Sequence, residues 1–358
     1  MHPEPYEDSR RLTGCNVYFA ATGAALETAR GWEPDEAALD RWRASIATAR
    51  EVLGWPQGEI VVNRHRTGAS LAFAAPMDQL YTATEVNEWA WWSALWEPFE
   101  PDADAVARDD AGALAVPFSL RGKVPGGRRE QEQEPEFYHA PGHAAVWDAD
   151  SAIQTLRLVA KAESRPELIA LQQQADAHGL PLLADDDEVT IGEGTGCRTW
   201  FAEGLPSPVV VPWAQLHKIP TALVTGSNGK TTTVRLLAAM ATAHGWRTAY
   251  SCTDGVFFDG KALEAGDFSG PTGTRTALRQ DGAEAAILET ARGGMLRRGL
   301  ALCHANVAIV TNIAADHFGE YGVHDLDDLA FHEEGDARPR ADRGGALGLG
   351  AEALVPED

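Results

Sequence analysis

A glycine-rich loop ending in Gly-Lys-Thr is the part of this sequence whose residue types specify a chemistry most directly. Residues 226–233 read Gly-Ser-Asn-Gly-Lys-Thr-Thr-Thr, after a short apolar run over 221–225 and before a segment with helical spacing. Glycines let main-chain N–H groups converge on phosphate oxygens, and the N-terminus of the next helix adds positive potential. Lys230 supplies a point charge to the β- and γ-phosphates, and the Thr231 hydroxyl is placed to bind Mg²⁺. The pattern predicts a phosphate-binding loop between a strand and a helix.

This loop is shorter than the general phosphate-binding pattern. That pattern has a glycine five residues before Gly229, where this chain has Val224. The alternative is a glycine-rich turn with an incidental Lys-Thr, which the scarcity of lysine disfavours, because the chain has five lysines. We predict that the nucleotide is bound by Gly226, Ser227, Asn228, Gly229, Lys230, Thr231, Thr232 and, from a later segment, Asn312.

Two further apolar segments end in polar residues that suit a magnesium nucleotide. The segment 285–289 is strand-like and ends at Glu289, and the segment 306–311 is followed by Asn312 and then His317. In doubly wound α/β sheets, ligands bind outside the carboxyl ends of parallel strands. Taken singly, Glu289 is equally explained as a helix cap and His317 as a core histidine. Together with the loop they predict one magnesium–nucleotide site at this edge, whose candidate residues are Lys230, Thr231, Glu289, Asn312 and His317.

The sequence resembles a known family in three motifs that occur in the family's order. They are Thr-Gly-Ser-Asn-Gly-Lys-Thr-Thr-Thr over 225–233, Leu-Glu-Thr-Ala-Arg-Gly-Gly-Met-Leu-Arg-Arg-Gly-Leu over 288–300, and Thr-Asn-Ile-Ala-Ala-Asp-His-Phe-Gly-Glu-Tyr-Gly over 311–322. This combination resembles the central, ATP-binding domain of the Mur ligase superfamily, over roughly residues 219–330. The second motif, with Phe-Ser-Gly-Pro at 268–271, is most similar to the ligase half of the cyanophycin synthetases.

The resemblance implies an ATP-dependent ligase that joins a small carboxylate to an amine through an acyl phosphate. The resemblance further implies that ATP and Mg²⁺ are the cofactors and that Lys230, Glu289 and His317 form the catalytic set. Lys230 would contact the phosphates, Thr231 and Glu289 would hold one Mg²⁺, His317 would lie at a second, and Asn312 would lie near the nucleotide base. Two other functions stay open: a catalytically silent ATP-binding protein or subunit, and a P-loop ATPase or phosphotransferase. The sequence does not indicate the oligomeric state.

The end of the sequence departs from the family pattern. The family has a lysine shortly after the position of Ala330, whereas this chain continues Phe-His-Glu-Glu and has no lysine after Lys261. Residues 331–358 are rich in Gly, Ala, Arg, Asp and Glu without periodicity, which predicts an irregular tail. We therefore expect the C-terminal ligase domain to be absent and the chain to be truncated, with an out-of-frame reading of a longer gene as one explanation.

The expected fold is α/β: a P-loop-type, doubly wound, mostly parallel sheet over 221–330, preceded by an α+β region of unrecognised type over 1–205 and a proline-rich linker over 206–220. The N-terminal elements predicted from periodicity and end signals are a helix over 34–54, strands over 59–63 and 70–74, a helix capped by Thr84 and running through Trp96, and a helix over 151–178. Seven tryptophans precede residue 100, and core packing is favoured over a binding wall.

Three weaker motifs in the N-terminal region are better explained as structural features than as binding sites. His139 and His143 have metal-ligand spacing, but the Pro-Gly between them disfavours the helix that such a site needs. The acidic run over 185–188 predicts a solvated turn rather than a cation site. The glycine-rich segment over 192–196 lacks a strand–loop–helix context and predicts a turn.

Composition excludes several classes of protein. The 358 residues carry 53 acidic and 30 basic side chains, a formal charge of −23, which repels nucleic acid and anionic lipid. No run approaches 18 apolar residues, so a membrane span is not expected. Four cysteines lie far apart, and we predict that they are reduced thiols in a cytoplasmic protein.

Overall fold

The computed structural model describes residues 5–31, 34–95 and 149–314, and within 149–151 it describes the main chain alone. These residues divide into two compact units, the first drawn from Met1–Arg11 and Gly23–Ser164, the second from Leu12–Thr22 and Arg165–Asp358. The division between 164 and 165 differs from the linker predicted at 206–220, which falls inside the second unit. His139, His143, His317 and the predicted tail lie outside the described residues.

Among the described residues, the first unit has a four-stranded sheet and three helices. The strands are β1 (Tyr6–Leu12), β2 (Gly23–Thr28), β3 (Ile60–His65) and β4 (Gly68–Ala74), in the order β1-β2-β4-β3. The helices are α1 (Glu36–Leu53), α2 (Leu80–Leu95) and α3 (Ala149–Glu163). Strand β4 pairs antiparallel with both β2 and β3.

Helix α1 begins two residues later than predicted, because Asp35 is its cap, and it ends at Leu53 before the predicted end residue Gly54. The Asp35 side chain accepts a hydrogen bond from the Ala38 N–H at 2.6 Å, and Gly54 takes the left-handed conformation with φ of 69°. Four of its predicted apolar positions are fully or nearly fully buried: Leu39, Trp42, Ile46 and Ala49. The helix therefore packs its predicted face into the core of this unit.

Tryptophans of the first unit lie in its core. Trp42 and Trp91 are fully buried and Trp55 is 6% exposed, in one hydrophobic cluster with Leu71 and Phe73 of β4. The prediction of core packing is confirmed for these three rings. Trp32 and Trp96 lie outside the described residues.

The predicted cap of α2 is wrong. Thr84 lies inside the helix, where its hydroxyl donates to the Tyr81 carbonyl at 2.8 Å. The first-turn N–H groups of Tyr81 and Thr82 instead donate to the Glu163 carboxylate, each at 2.8 Å. Because this cap comes from a residue about eighty positions later, local sequence signals cannot identify it.

The helix predicted over 151–178 is two helices. Helix α3 ends at Glu163, and α4 (Pro166–Ala177) begins the main body of the second unit. Pro166 has no N–H and restricts Arg165, whose φ and ψ are −131° and 78°. The break therefore falls at the residue before proline.

The second unit contains a small sheet and a large one. The small antiparallel sheet is β5 (Leu182–Ala184), β6 (Glu188–Ile191) and β7 (Arg198–Phe201). The large sheet is β8 (Thr221–Thr225), β9 (Thr248–Cys252), β10 (Gly255–Phe258), β11 (Lys261–Ala265), β12 (Ala285–Glu289) and β13 (Val307–Val310), in the order β11-β10-β9-β12-β8-β13. Its helices are α5 (Lys230–Ala243), α6 (Pro271–Leu278) and α7 (Arg292–Arg298), and short 3₁₀ turns occupy Gly194–Gly196, Pro208–Val210 and Trp213–Gln215.

The large sheet is mixed, with a parallel centre. Strands β9, β12, β8 and β13 run parallel, and β10 and β11 extend one side antiparallel. Helix α5 packs Val234 and Ala238 against one face, in a cluster with Ile287 of β12. Helix α6 packs Ala277 against the other face, in a cluster with Leu288. The predicted doubly wound α/β arrangement is therefore present, and its parallel strands share one carboxyl edge.

Two of the four cysteines form a disulfide, contrary to the prediction of four reduced thiols. Cys15 is bonded to Cys303, with 5.4 Å between their Cα atoms and 288 residues between them in sequence. The segment 12–22 packs within the second unit, where the Leu300 N–H donates to the Cys15 carbonyl at 2.6 Å. The wide spacing of the cysteines along the chain therefore did not indicate which of them lie close together in space. Cys197 and Cys252 are free thiols.

The turn predicted over 192–196 is a 3₁₀ turn built around a buried carboxyl group. Glu193 is 2% exposed, and its carboxylate accepts a hydrogen bond from the Ile219 N–H at 3.0 Å. Burial raises the pKa of Glu193 to about 7. A Cβ on Gly194 would lie 2.2 Å from the Ala283 carbonyl oxygen, so this close approach requires glycine.

The acidic run over 185–188 forms the turn between β5 and β6, but Asp185 is not simply solvated. The Arg279 guanidinium of the segment following α6 donates to its carboxylate at 2.5 Å. Burial opposes ionisation, yet this guanidinium keeps the pKa of Asp185 below its ordinary value. Across the parts of the chain that the structure describes, no helix has the length and apolarity to cross a membrane.

Candidate functional site

The glycine-rich loop joins β8 to α5 as predicted. Gly226 and Gly229 have φ angles of +123° and +81°, a region that L side chains disfavour. A Cβ on Gly226 would lie 2.3 Å from the Thr311 hydroxyl, so the loop also requires glycine for space. The sequence Gly-Ser-Asn-Gly therefore sets the path of the main chain into the helix.

The end of β13 braces this loop. The Ser227 N–H donates to the Asn312 carbonyl at 2.9 Å, and the Asn228 N–H donates to Asn312 Oδ1 at 3.0 Å. The Thr311 hydroxyl donates to the Asn228 carbonyl at 2.6 Å. The structure thus places Asn312 against the loop main chain, and its proximity to a nucleotide base stays a prediction.

The first turn of α5 presents amides toward the same edge. The N–H groups of Lys230, Thr231 and Thr232 occupy the first three helical positions, where no intrahelical carbonyl is available to them. Helix N-termini of this kind attract anions through those amides and the helix dipole. Since Asn312 already occupies the amides of Ser227 and Asn228, the helix amides are the ones suited to phosphate.

Lys230 lies over the loop. Its ammonium donates to the carbonyl of Gly226 at 2.7 Å and to that of Ser227 at 3.2 Å. Both acceptors are neutral carbonyls, so the positive charge of Lys230 is not cancelled by a carboxylate in these contacts. An anion at the helix N-terminus would meet this charge directly.

Glu289 is a buried carboxylate held by hydroxyl groups. It ends β12 and is 1% exposed. Its Oε2 accepts the Thr231 hydroxyl at 2.9 Å, and its Oε1 accepts the Thr253 hydroxyl at 2.9 Å. Within 5–31, 34–95 and 149–314, no Arg, Lys or His pairs with it. Glu289 therefore places a buried carboxylate group next to the glycine-rich loop.

The structure brings together most of the residues predicted for the site. Lys230, Thr231, Glu289 and Asn312 meet at the carboxyl edge of β8, β12 and β13, because those strands are adjacent and parallel. Thr253 was missed by sequence reasoning, although it directly follows β9, whose carboxyl end lies at the same edge. His317 lies outside the described residues.

The oxygen atoms at this edge suit a small divalent cation. Hydroxyl and carboxylate oxygens are ligands that Mg²⁺ prefers, and it commonly takes one or two protein carboxylates with waters and substrate phosphates. The Thr231 hydroxyl and the Glu289 carboxylate already lie in contact, so they fit a shared metal. In the described part of the chain, no group of three or more His, Cys, Asp and Glu forms a metal cluster. Waters and phosphate oxygens are the further ligands that Mg²⁺ commonly takes beside such residues.

Comparison with known proteins confirms the superfamily resemblance. Residues 224–330 match the family model of the Mur ligase middle domain. A cyanophycin synthetase of Trichormus variabilis is 40% identical over 150 residues, which are 40% of this chain and 17% of that protein. A UDP-N-acetylmuramoyl-L-alanyl-D-glutamate–2,6-diaminopimelate ligase of Xanthomonas oryzae is 31% identical over 189 residues, 51% of this chain and 36% of that protein.

A solved structure of E. coli FolC in complex with DHPP and ADP is also similar over a limited region. It is 25% identical and covers 33% of this chain and 34% of that one, with a TM-score of 0.27. The chain thus spans about a sixth of the length of the cyanophycin synthetases it matches and about a third of the diaminopimelate ligase.

Proposed function

We propose that this chain contains the ATP-binding centre of an ATP-dependent ligase that joins a carboxylate to an amine. The observation that carries this proposal is the contact between Thr231 and Glu289 beside the ammonium of Lys230. The motifs and relatives indicate the reaction class, because the matched relatives are named as synthetases or ligases.

In the proposed reaction a substrate carboxylate oxygen attacks the γ-phosphorus of ATP, and the bond from that phosphorus to the bridging oxygen breaks to release ADP. The amine nitrogen then attacks the acyl carbon, inorganic phosphate leaves, and the nitrogen loses a proton to give an amide. Phosphoryl transfer of this kind depends mainly on positioning and charge neutralisation. In this proposal Lys230 and the first-turn amides of α5 position the phosphates and neutralise part of their negative charge.

A bound Mg²⁺ would neutralise phosphate oxygens where the incoming carboxylate meets them. Thr231 and Glu289 are the described residues that would hold it. We extend the proposal to a second metal near His317 and to a small carboxylate and an amine as substrates, as the resemblance implies. The loop bracing by Asn312 keeps the amides of α5 aligned, so we assign Asn312 a positioning role in nucleotide binding.

Two measurements test the proposal. Calorimetric titration with ATP and Mg²⁺ is expected to show binding, and Lys230→Ala is expected to abolish it while the circular dichroism spectrum and unfolding midpoint stay unchanged. Thr242→Val is a matched control, because the Thr242 hydroxyl donates to the Ala238 carbonyl of its own helix. Unchanged nucleotide affinity in Lys230→Ala would refute the site assignment.

Phosphate release in the presence of Mg-ATP and pools of amino acids or short peptides separates the three possible functions. Release that depends on the amine supports a ligase. Release without an amine identifies an ATPase, and binding without turnover identifies a silent nucleotide-binding protein or a subunit that needs further chain.

A further inference from the structure

Thr253 holds the carboxylate of Glu289 together with Thr231, and the two threonine hydroxyls lie 3.4 Å apart. Its hydroxyl donates to Oε1 at 2.9 Å, and its N–H lies 3.3 Å from Oε2 as a second, longer hydrogen bond. Of the two carboxylate oxygens, the Thr231 hydroxyl contacts Oε2. Oε2 is therefore engaged by the first turn of α5 and by the Thr253 N–H, whereas Oε1 is engaged by the Thr253 hydroxyl.

The position of Thr253 is fixed by a tight hairpin. Thr253 and Asp254 form the two-residue connection between β9 and β10, because Cys252 pairs with Gly255. A Cβ on Gly255 would lie 2.2 Å from the Glu264 carbonyl oxygen, so the hairpin packs too closely for any side chain there. The Asp254 carboxylate also pairs with Arg235 of α5 at 2.6 Å. The turn is thus tied to the helix that carries Thr231.

A metal held by Thr231 and Glu289 would meet a carboxylate with one oxygen already occupied. Mg²⁺ requires near-ideal octahedral geometry at short distances and accepts single carboxylate oxygens, whereas Ca²⁺ takes six to eight oxygens and accepts both oxygens of one carboxylate. A hydroxyl donor on Oε1 disfavours the two-oxygen mode. The contact therefore favours the smaller ion.

We infer that Thr253 is a positioning residue that keeps Glu289 in one-oxygen coordination and makes the site select Mg²⁺ over Ca²⁺. This inference rests on the proposed nucleotide–metal site, and it adds a residue and a selectivity that the motifs do not contain. Thr253 acts through Glu289 and has no role in the transfer of the phosphoryl group itself.

The test compares calorimetric binding of a non-hydrolysable ATP analogue in Mg²⁺ and in Ca²⁺, so that turnover plays no part. Thr253→Val keeps the branched shape and the N–H but removes the hydroxyl, and we expect the ratio of Mg²⁺ to Ca²⁺ affinities to fall about tenfold, as for loss of other groups that orient metal ligands. Thr253→Ser is expected to restore the ratio, and Thr242→Val to leave it unchanged.

The outcomes distinguish this inference from the proposed function. Binding by the wild-type protein with an unchanged ratio in Thr253→Val overturns the role of Thr253 and leaves the nucleotide site standing. If the wild-type protein does not bind the analogue with either cation, both the role of Thr253 and the proposed function are overturned. A loss of affinity in Thr253→Val that is equal for Mg²⁺ and Ca²⁺, or that Thr253→Ser does not reverse, identifies a merely structural residue.

Discussion

Each of the two units has a buried glutamate in a strand, and the hydrogen-bond partners of the two carboxylates differ. Glu27 of β2 is 7% exposed and accepts hydrogen bonds from Arg10 at 2.7 Å and Ser70 at 2.8 Å, with His65 at 3.3 Å. Glu289 of β12 is 1% exposed and is held by threonine hydroxyls. The two carboxylates are similarly buried. A positive side chain pairs with Glu27, whereas no positive side chain among the described residues pairs with Glu289.

This difference separates a carboxylate that is paired within the fold from the one that we propose as a metal ligand. Burial alone would raise the pKa of Glu27, but His65 and Arg10 together hold it below its ordinary value. A buried charge that is paired within the fold stabilises one arrangement of strands. Carboxylate oxygens held by neutral donors are suitable ligands for Mg²⁺. The partners, rather than the burial, are therefore the basis for proposing Glu289 as a metal ligand.

Removing the paired carboxylate is expected to have the largest effect on stability. Glu27→Ala removes one carboxylate from the buried guanidinium of Arg10, while Asp8 stays at 2.8 Å, and it also removes the acceptor of the Ser70 hydroxyl. The free energy of unfolding should fall by about 3 kcal/mol. Urea unfolding followed by circular dichroism measures this change. Affinity for Mg-ATP is expected to stay the same in protein that remains folded, and a loss below about 1 kcal/mol would show that Glu27 is not structurally important.

A third buried carboxylate, that of Glu193, is expected to make the stability of the protein depend on pH. The pKa of Glu193 is raised by burial to about 7 from 4.5, so the folded state binds the proton more tightly than the unfolded state. Its contribution to stability is therefore complete below pH 4.5 and is lost as pH rises through about 7. Relative to wild type, Glu193→Gln should gain about 3 kcal/mol of unfolding free energy between those limits. Parallel stability curves for both proteins would contradict this prediction.

Removing one hydrogen bond from Glu27 is expected to cost less than removing the carboxylate. Ser70 is fully buried, and its hydroxyl donates to Glu27 Oε2. Ser70→Ala should lower the free energy of unfolding by about 1.5–3 kcal/mol, the range for hydrogen bonds to charged groups. The same urea titration applies, with Ser70→Thr unsuitable as a control because it adds volume to the core. An effect as large as that of Glu27→Ala would mean that packing dominates at this strand.

Neutralising Glu289 is expected to have the smallest effect on stability. Glu289→Gln keeps an acceptor for one threonine and removes a buried charge that has no cation partner among the described residues, so the free energy of unfolding should change by less than about 1 kcal/mol. Metal-dependent nucleotide affinity should instead fall by at least about tenfold. Calorimetry in Mg²⁺ and in EDTA separates the two effects. Strong destabilisation with unchanged affinity would reverse the assignment of the two glutamates.

Local signals predicted those parts of the fold whose causes lie within a few residues. Helix α1 lies within its predicted range, and its left-handed end at Gly54 was read directly from sequence. The phosphate-binding loop is similar, since Gly226 and Gly229 determine its path. Helix α2 shows the limit, because Glu163 supplies its N-terminal cap from another helix.

The sequence by itself determined the residues of the nucleotide loop and the strand that carries Glu289, because glycine conformation, strand patterning and helix capping are short-range effects. Only the tertiary structure decided which groups surround Glu289, placed Thr253 beside it, and joined Cys15 to Cys303. Those contacts depend on strand order and on packing between distant segments. Since spacing along the chain does not fix distance in space, no local pattern contained them.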